Sequence, residues 1–229
     1  MSSHDTAPAT QGASAERRRQ FLVSMLGAAA AALALLIGVL VLWAPGKGDT
    51  SIGTLLDPPL ETPAFSLQAH DGRAVQWSDY RGKYVVMTFL YTSCRDVCPL
   101  TAHKLSQVHQ KLGADAARVA FVTVTVDPER DTPQAIQAFS EKWGMAGKWD
   151  YLTGSEESLA PLWKAYFVGE VRQEAIADAA DPARTAEGAY AVDHTSPVHV
   201  IDPQGRGRLA YSTAFTADEM AHDIRLLMG

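Results

Sequence analysis

The sequence predicts an α/β domain with a mixed central sheet, preceded by one N-terminal transmembrane helix. Strand-like and helix-like segments alternate from residue 84 to residue 166, which is typical of α/β proteins. A hairpin and a helix then close the chain, so antiparallel strands are expected beside the parallel ones. Ahead of the domain, residues 21–44 contain no charged side chain.

The apolar run at residues 21–44 predicts a retained transmembrane anchor. At about 1.5 Å per residue it is long enough to cross a bilayer core of about 30 Å. The alternative is a cleaved signal peptide, but its apolar core is shorter, about 7–15 residues, and its small residues follow that core. Here the small residues, Ala28 to Ala32, lie inside the run.

Charges around the anchor predict its orientation. The arginines at 17–19 favour a cytoplasmic N-terminus, so residues 1–20 form a disordered cytoplasmic tail and the domain faces the periplasm of a bacterial inner membrane. Asp5 and Glu16 argue against a mitochondrial transit peptide. A linker is predicted at 45–63 and one domain at 64–229. The formal net charge of −6 argues against nucleic acid as a partner.

The elements of the domain follow from turn and periodicity signals. A hairpin is centred on Asp71-Gly72, and a near-continuous apolar run at 84–91 predicts a central strand. Further strands are predicted at 119–126, 149–152, 198–201 and 208–211. Helices are predicted at 99–112, from Thr132 to Gly144, after Ser155 and after Thr216. Residues 169–193 have no clean period and predict an inserted loop or hairpin.

The segment YTSCRDVCPLTA, Tyr91–Ala102, holds the only two cysteines, Cys94 and Cys98. Since Pro99 suits the first turn of a helix, Cys98 is predicted at a helix N-terminus and Cys94 in the preceding turn, where the helix dipole favours thiolate. Cβ atoms four residues apart on a helix lie about 5–6 Å apart, wider than the roughly 3.5–4.5 Å of a disulfide. The spacing suits two thiolates on one soft metal, although the pair can oxidise if the turn relaxes. A pair of small buried hydrophobic side chains is the remaining interpretation.

Three blocks in order resemble the Sco (SenC) family, the thioredoxin-like copper proteins of cytochrome oxidase assembly. The blocks are YTSCRDVCP, then VDPERDTP at 126–133, then DHTSPVHVIDPQG at 193–205. The resemblance covers roughly residues 58–229 and implies a thioredoxin-like fold. It departs from the family at Arg95, where proline is usual, and at His199, where an aromatic residue is common.

The resemblance implies a copper site formed by Cys94, Cys98 and His194, which binds one copper per chain. Two thiolates suit Cu(I), and an added imidazole suits Cu(II) as well. The two cysteines would also form a redox pair. Asp127 is expected either to hydrogen-bond His194 as an orienting residue or to cap the turn that follows it.

The remaining polar candidates have plainer interpretations. His199 is expected to be a surface or packing histidine, and His103 and His109 to be solvated. Asp131, with its neighbours Glu129 and Arg130, is expected in an exposed charged loop. Asp96 either repels the thiolates or contacts a basic surface of a partner.

Three function classes remain at this point. The favoured one is a metallochaperone, without catalytic residues, that delivers copper to the binuclear copper site of cytochrome c oxidase. Its implied partners are the copper-site subunit of that oxidase and other periplasmic copper chaperones. The alternative is a periplasmic thiol–disulfide reductase that keeps the oxidase cysteines reduced, which needs no His194. A thiol peroxidase is weaker, because no separate motif for a peroxidatic cysteine is evident.

Overall fold

A computed structural model describes residues 25, 27, 33–36, 52–174, 190–194 and 196–229, without the side chains of 170–174 and 190–194. The chain divides into two compact units, Met1–Gly48 and Asp49–Gly229. In the first unit the described residues are helical, and Met25, Leu33, Leu35 and Leu36 are exposed. The predicted tail at 1–20 and most of the predicted anchor at 21–44 lie outside the described residues. Within the described part of the chain, no helix is both long and apolar enough to cross a membrane.

The second unit is built on an eight-stranded sheet, together with a separate two-stranded one. In chain order the strands are β1 (Thr54–Glu61), β2 (Ser66–Ala69), β3 (Ala74–Gln76), β4 (Tyr84–Leu90), β5 (Val119–Thr125), β6 (Trp149–Thr153), β7 (Glu170–Glu174), β8 (Tyr190–His194), β9 (Val198–Ile201) and β10 (Arg206–Tyr211). The large sheet has the order β1-β10-β9-β4-β5-β6-β2-β3. The pairs β4–β5 and β5–β6 are parallel and the others antiparallel. The predicted mixed sheet is confirmed.

Four helices accompany the sheet in the described part of the second unit. They are α1 (Val97–Leu112), α2 (Pro133–Lys142), α3 (Glu156–Ala165) and α4 (Ala217–Met228), with short 3-10 turns at Trp77–Tyr80 and Gly113–Arg118. The predicted N-caps are present, since Thr132, Ser155 and Thr216 each accept a hydrogen bond from the backbone three residues on. Helix α1 begins two residues earlier than the predicted start at Pro99, so Cys98 lies in its first turn.

The predicted linker contains a strand, and the predicted insertion takes its hairpin alternative. Within the predicted linker at 45–63, residues 54–61 form β1 at an edge of the sheet. Pro58 and Pro59 concealed this strand in the sequence, but an edge strand tolerates proline because one side of it needs no ladder hydrogen bond. The predicted insertion at 169–193 contributes β7 and most of β8, which pair antiparallel.

The central strands bring two chain segments to one edge of the sheet. Every residue of β4 is buried, which explains its near-continuous apolar sequence. Strand β5 lies parallel to β4, with Leu90 opposite Thr125, and the backbone N–H of Val126 donates to the Leu90 carbonyl at 3.0 Å. The residues that follow β4 and those that follow β5 therefore lie side by side, where open α/β sheets place their sites.

Candidate functional site

The cysteine turn connects β4 to α1. Cys94 is half-buried within the turn, and Cys98 is fully buried in the first turn of α1. Between them, Arg95 and Asp96 are exposed, and the Asp96 side chain forms no cap on α1. One sulfur is thus accessible at the edge of the sheet, and the other lies behind it in the core.

The sulfur of Cys94 is surrounded by hydrogen-bond donors. It accepts from the Cys98 thiol, from the backbone N–H groups of Cys98 and Asp96, and from the Tyr91 hydroxyl. The hydrogen bond from Cys98 is the main cause that lowers the pKa of Cys94 to about 5, although burial opposes the shift. The same hydrogen bond, together with burial, raises the pKa of Cys98. The two shifts together favour the thiolate at Cys94 and the thiol at Cys98.

A row of polar side chains continues from Cys94 across the end of β5. Burial, and then the charge on Cys94, raise the pKa of Tyr91, so its hydroxyl stays a donor. The Arg130 guanidinium lies 5.8 Å from the centre of the Tyr91 ring, and it forms an ion pair with the buried carboxylate of Asp127. The Asp127 carbonyl accepts from the N–H groups of Arg130 and Asp131, so Asp127 closes the turn after β5. The Asp127 side chain pairs with Arg130, and both of its expected roles, as an orienting partner of His194 and as a cap of this turn, stay predictions.

Asp131 is the site residue that the sequence did not indicate. It was expected in an exposed charged loop, but it is only 2% exposed and accepts hydrogen bonds from Thr92, Thr125 and Tyr151. The turn closed by Asp127 explains the difference, because it brings the chain back so that Asp131 faces inward. Thr92, two residues after β4, and Thr125, the last residue of β5, are polar residues beside apolar strands and were the available sign of a buried acceptor.

The four histidines considered in the sequence lie in different environments. His194 is the last residue of β8, and its backbone pairs with Glu170, while its side chain lies outside the described part. His199 lies on β9 between Met87 and Ala210, is buried, and meets the edge of the Tyr166 ring at a centroid distance of 4.8 Å. It is a packing histidine, and the surface alternative is wrong. His103 is exposed as expected, whereas His109 is half-buried against Phe121 and not fully solvated.

The sulfurs of Cys94 and Cys98 are the atoms suited to bind a soft metal ion where β4 and β5 end. Among the side chains described, no group of three His, Cys, Asp or Glu residues converges in a way that could hold a metal ion. The sulfurs fit a soft ion, because Cys94 is poised as a thiolate and the second sulfur lies in hydrogen-bond contact with it. The third predicted ligand, His194, is not tested by this arrangement.

Comparison with known proteins decides the family. The sequence pattern of SCO1/SenC matches residues 54–229, which begin at β1 and end with the chain. The chain belongs to the SCO1/SenC family. The resemblance proposed from the three sequence blocks is confirmed, and it extends to β1, ahead of the predicted domain start.

Curated relatives are found in animals and bacteria. The mitochondrial SCO2 homolog of Bos taurus is 33% identical over 165 residues, which cover 70% of this chain and 57% of that protein. The SCO1 homolog of Bacillus subtilis is 28% identical over 158 residues and is covered to 76%. This chain thus spans between half and two thirds of the length of the bovine protein.

Solved Sco structures share the fold. ScoI of Bradyrhizobium japonicum, determined with copper bound, superposes with a TM-score of 0.63 at 28% identity, over 73% of this chain and 99% of that one. BsSco, described as a member of the Sco family of cytochrome c oxidase assembly proteins with a disulfide switch, has a TM-score of 0.58 at 26% identity, over 77% of this chain and 96% of that one. These similarities agree with the predicted thioredoxin-like architecture.

Proposed function

We propose that this protein is a copper metallochaperone that delivers copper to the binuclear copper site of cytochrome c oxidase. The observation that carries the proposal is the pair of cysteines at the start of α1, with Cys94 half-buried in the turn and Cys98 buried in the first helical turn, where a hydrogen bond between their side chains lowers the pKa of Cys94. Two sulfurs placed together in this way need little rearrangement to share one soft ion. The copper-bound ScoI structure and the assembly role given for BsSco support this choice of cargo and recipient.

The cargo would be held by Cys94, Cys98 and His194, one ion per chain. Thiolates favour Cu(I), and the imidazole of His194 would add affinity for Cu(II). Three protein ligands leave room for a ligand of the recipient to enter. Because Cys94 is partly exposed and Cys98 is buried, an incoming ligand would approach on the Cys94 side.

The copper content of the soluble domain tests the proposal. The reduced domain from residue 52 onward should bind one Cu(I) per chain, and Cu(II) should give sulfur-to-copper charge-transfer absorption. Oxidation of Cys94 and Cys98 to a disulfide should abolish binding, because metal-binding sulfurs must be thiolates. Copper that stays bound to the oxidised domain would remove these two residues from the site.

A His194→Ala variant separates copper delivery from thiol chemistry. It should lose stable Cu(II) binding, weaken Cu(I) binding by more than about 100-fold, and fail to support oxidase assembly at limiting copper. Exchange with a test disulfide should change little, since both cysteines remain. His199→Ala is the matched control, because that imidazole is buried on β9 and should leave copper binding intact. Full oxidase assembly by His194→Ala at low copper would contradict copper delivery.

A thiol–disulfide reductase is the second candidate, favoured by the unequal exposure of the two sulfurs. The Cys94 thiolate would attack a partner disulfide, form a mixed disulfide and release one partner thiolate. Cys98 would pass its proton to the released partner thiolate and attack the Cys94 sulfur, releasing the second partner thiolate and leaving a Cys94–Cys98 disulfide. The pair would supply both electrons. This reaction would survive His194→Ala and fail in Cys94→Ser.

The proposed location is the bacterial inner membrane, with the domain in the periplasm. Residues 21–44 would form a single-pass anchor with a cytoplasmic N-terminus, an arrangement supported by the arginines at 17–19 and by the exposed apolar residues of the first unit. A reporter fused after Gly229 should be active only outside the cytoplasm, and the protein should stay with membranes after an alkaline wash. A soluble chain that starts near Pro45 would instead indicate a cleaved signal peptide.

A further inference from the structure

One carboxylate connects the cysteine turn to two neighbouring strands. Asp131 Oδ1 accepts from the Thr92 backbone N–H at 2.8 Å and from the Thr92 hydroxyl at 2.7 Å. Asp131 Oδ2 accepts from the Thr125 hydroxyl at 2.6 Å and from the Tyr151 hydroxyl at 3.1 Å. These four residues, named here the Asp131 cluster, join the start of the cysteine turn to the end of β5 and to β6.

Hydrogen bonds occupy the acceptor positions of the Asp131 carboxylate. An ionised carboxylate has about four lone-pair positions, and four donors occupy them here. A buried charge is costly unless hydrogen bonds compensate it, so the three neighbours and the carboxylate stabilise one another. Rotation of the Asp131 side chain would break several of these bonds at once, which fixes the position of Thr92.

Thr92 sets the position of the cysteine turn. It lies between Tyr91, whose carbonyl accepts from the Cys94 backbone N–H at 3.4 Å, and the turn that carries Cys94. A shift of Thr92 would therefore move Tyr91 and Cys94 together relative to Cys98. Both sulfurs depend on the point at which β4 ends.

We propose that Asp131 is a positioning residue for the copper site. It holds Thr92 so that the Cys94 sulfur stays against Cys98 and Tyr91 before the ion arrives. Binding sites need such support, because loosely held ligands lose affinity to reorganisation. The part of this inference that concerns copper rests on the proposed function, and the part that concerns the cysteine turn does not.

The chain offers a matched control in a second buried carboxylate. Asp223 on α4 accepts from the backbone N–H groups of Ile52 and Gly53 at 2.9 and 2.8 Å, and from the Tyr211 hydroxyl at 2.7 Å. Asp223 with these three residues is named the Asp223 cluster. It fixes the start of the domain and includes no residue of the cysteine turn. Asp131→Asn and Asp223→Asn each keep the side-chain shape and replace one acceptor oxygen by an amide donor.

The first measurement follows the turn without any metal. Hydrogen exchange of the Thr92 amide in the reduced domain should become about tenfold faster in Asp131→Asn, because one acceptor oxygen remains where two served four donors, which weakens the hydrogen bonds that hold Thr92. In Asp223→Asn the Thr92 amide should exchange as in the wild type, while the Gly53 amide exchanges faster. Unchanged Thr92 exchange in a folded Asp131→Asn variant would overturn the proposal.

The second measurement follows the site with copper. Competition against a chromophoric Cu(I) chelator should show about tenfold weaker binding in Asp131→Asn, and the charge-transfer band of the Cu(II) form should shift. Asp223→Asn should keep wild-type affinity and spectrum at the same loss of thermal stability. Equal copper effects in the two variants would reduce Asp131 to a stabilising residue. If the wild type binds no copper, the proposed function fails and the amide exchange still decides the turn role.

A second pair of variants covers a failure of Asp131→Asn to fold. Thr92→Val keeps the shape and the backbone N–H but removes one donor, whereas Thr92→Ser keeps both donors. The valine variant should show weaker Cu(I) binding and a shifted charge-transfer band, and the serine variant should match the wild type. Identical behaviour of the two would contradict the positioning role.

Discussion

The cysteine turn and the start of the domain are each held by a buried aspartate, and the two aspartates serve different purposes. The Asp131 cluster lies where β4 gives way to the cysteine turn, and the Asp223 cluster lies where the chain enters β1. Each consists of a buried aspartate that accepts backbone and tyrosine donors from segments far apart in sequence. The hydrogen bonds alone do not distinguish a positioning residue from a stabilising one. The distinction comes from the segment that each aspartate holds.

This difference predicts separable phenotypes. Damage to the Asp223 cluster should appear in the free energy of unfolding alone, because the domain start carries no reacting group. Damage to the Asp131 cluster should appear in the unfolding free energy and in the chemistry of the sulfurs. Three further substitutions sharpen that contrast, and each leaves the cysteine turn untouched.

Gly53→Ala should have the largest effect. A Cβ at this position would lie 2.5 Å from a ring carbon of Tyr211 and 2.9 Å from its hydroxyl oxygen. The ring must move, which strains the packing and weakens the bond to Asp223, at a cost of roughly 3 kcal/mol in unfolding free energy. Urea unfolding measures it, with Gly169→Ala as the control, since a Cβ there meets nothing within 4 Å. A changed Cu(I) affinity in a folded Gly53→Ala domain would break the contrast between the two ends.

His199→Phe should have an effect that depends on pH. His199 is buried, and among the described residues neither ring nitrogen has a hydrogen-bond partner. Asp131 and Asp223, in contrast, are buried with hydrogen bonds to their carboxylates. Burial lowers the pKa of His199 to about 4, so the folded state holds it neutral while the unfolded chain binds a proton below about pH 6.5. Stability is therefore lost as the pH falls from about 6.5 toward 4, by about 2 kcal/mol at pH 5.

The phenylalanine variant should lack this part of the acid destabilisation. Unfolding curves at pH 7.5 and pH 5 measure the difference, with the exposed His103→Gln as a control that should follow the wild type. An equal loss of stability on acidification in wild type and His199→Phe would contradict the assignment of the neutral buried state.

Thr216→Ala should have the smallest effect of the three. Thr216 caps α4, the helix that carries Asp223, and forms a reciprocal capping box with Glu219. Loss of the cap should cost about 1 kcal/mol of unfolding free energy, and Thr216→Ser should restore it. Thermal unfolding measures the change. A loss well above that size would mean that the cap also supports the Asp223 cluster further along the helix.

The elements with strong local signals could be predicted from sequence. The Asp71-Gly72 hairpin, the apolar β4, the N-caps at Thr132, Ser155 and Thr216, and the position of the cysteines at the start of a helix all depend on neighbouring residues. In each case a few adjacent side chains determine the backbone conformation, so the element can be predicted without knowledge of the rest of the fold.

The parts that depend on distant partners could not be predicted. Asp131 belongs to a charged run, and only the adjacent ends of β4 and β5 show that it faces inward. The opposite pKa shifts of Cys94 and Cys98 likewise depend on burial and on hydrogen bonds from several residues, which only the folded turn brings together. Strand β1 depends on β10 for its pairing, so its two prolines were the stronger local signal.

Those prolines have a consequence for the protein among other copies of itself. The outermost strands of the sheet are β1 and β3, and an open edge can pair with the edge of a second molecule. Pro58 and Pro59 interrupt the register of β1 and carry no backbone N–H, and β3 is only three residues long. Neither border offers a continuous row of donors and acceptors. Crowded domains would thus be kept from joining into extended sheets through these two edges.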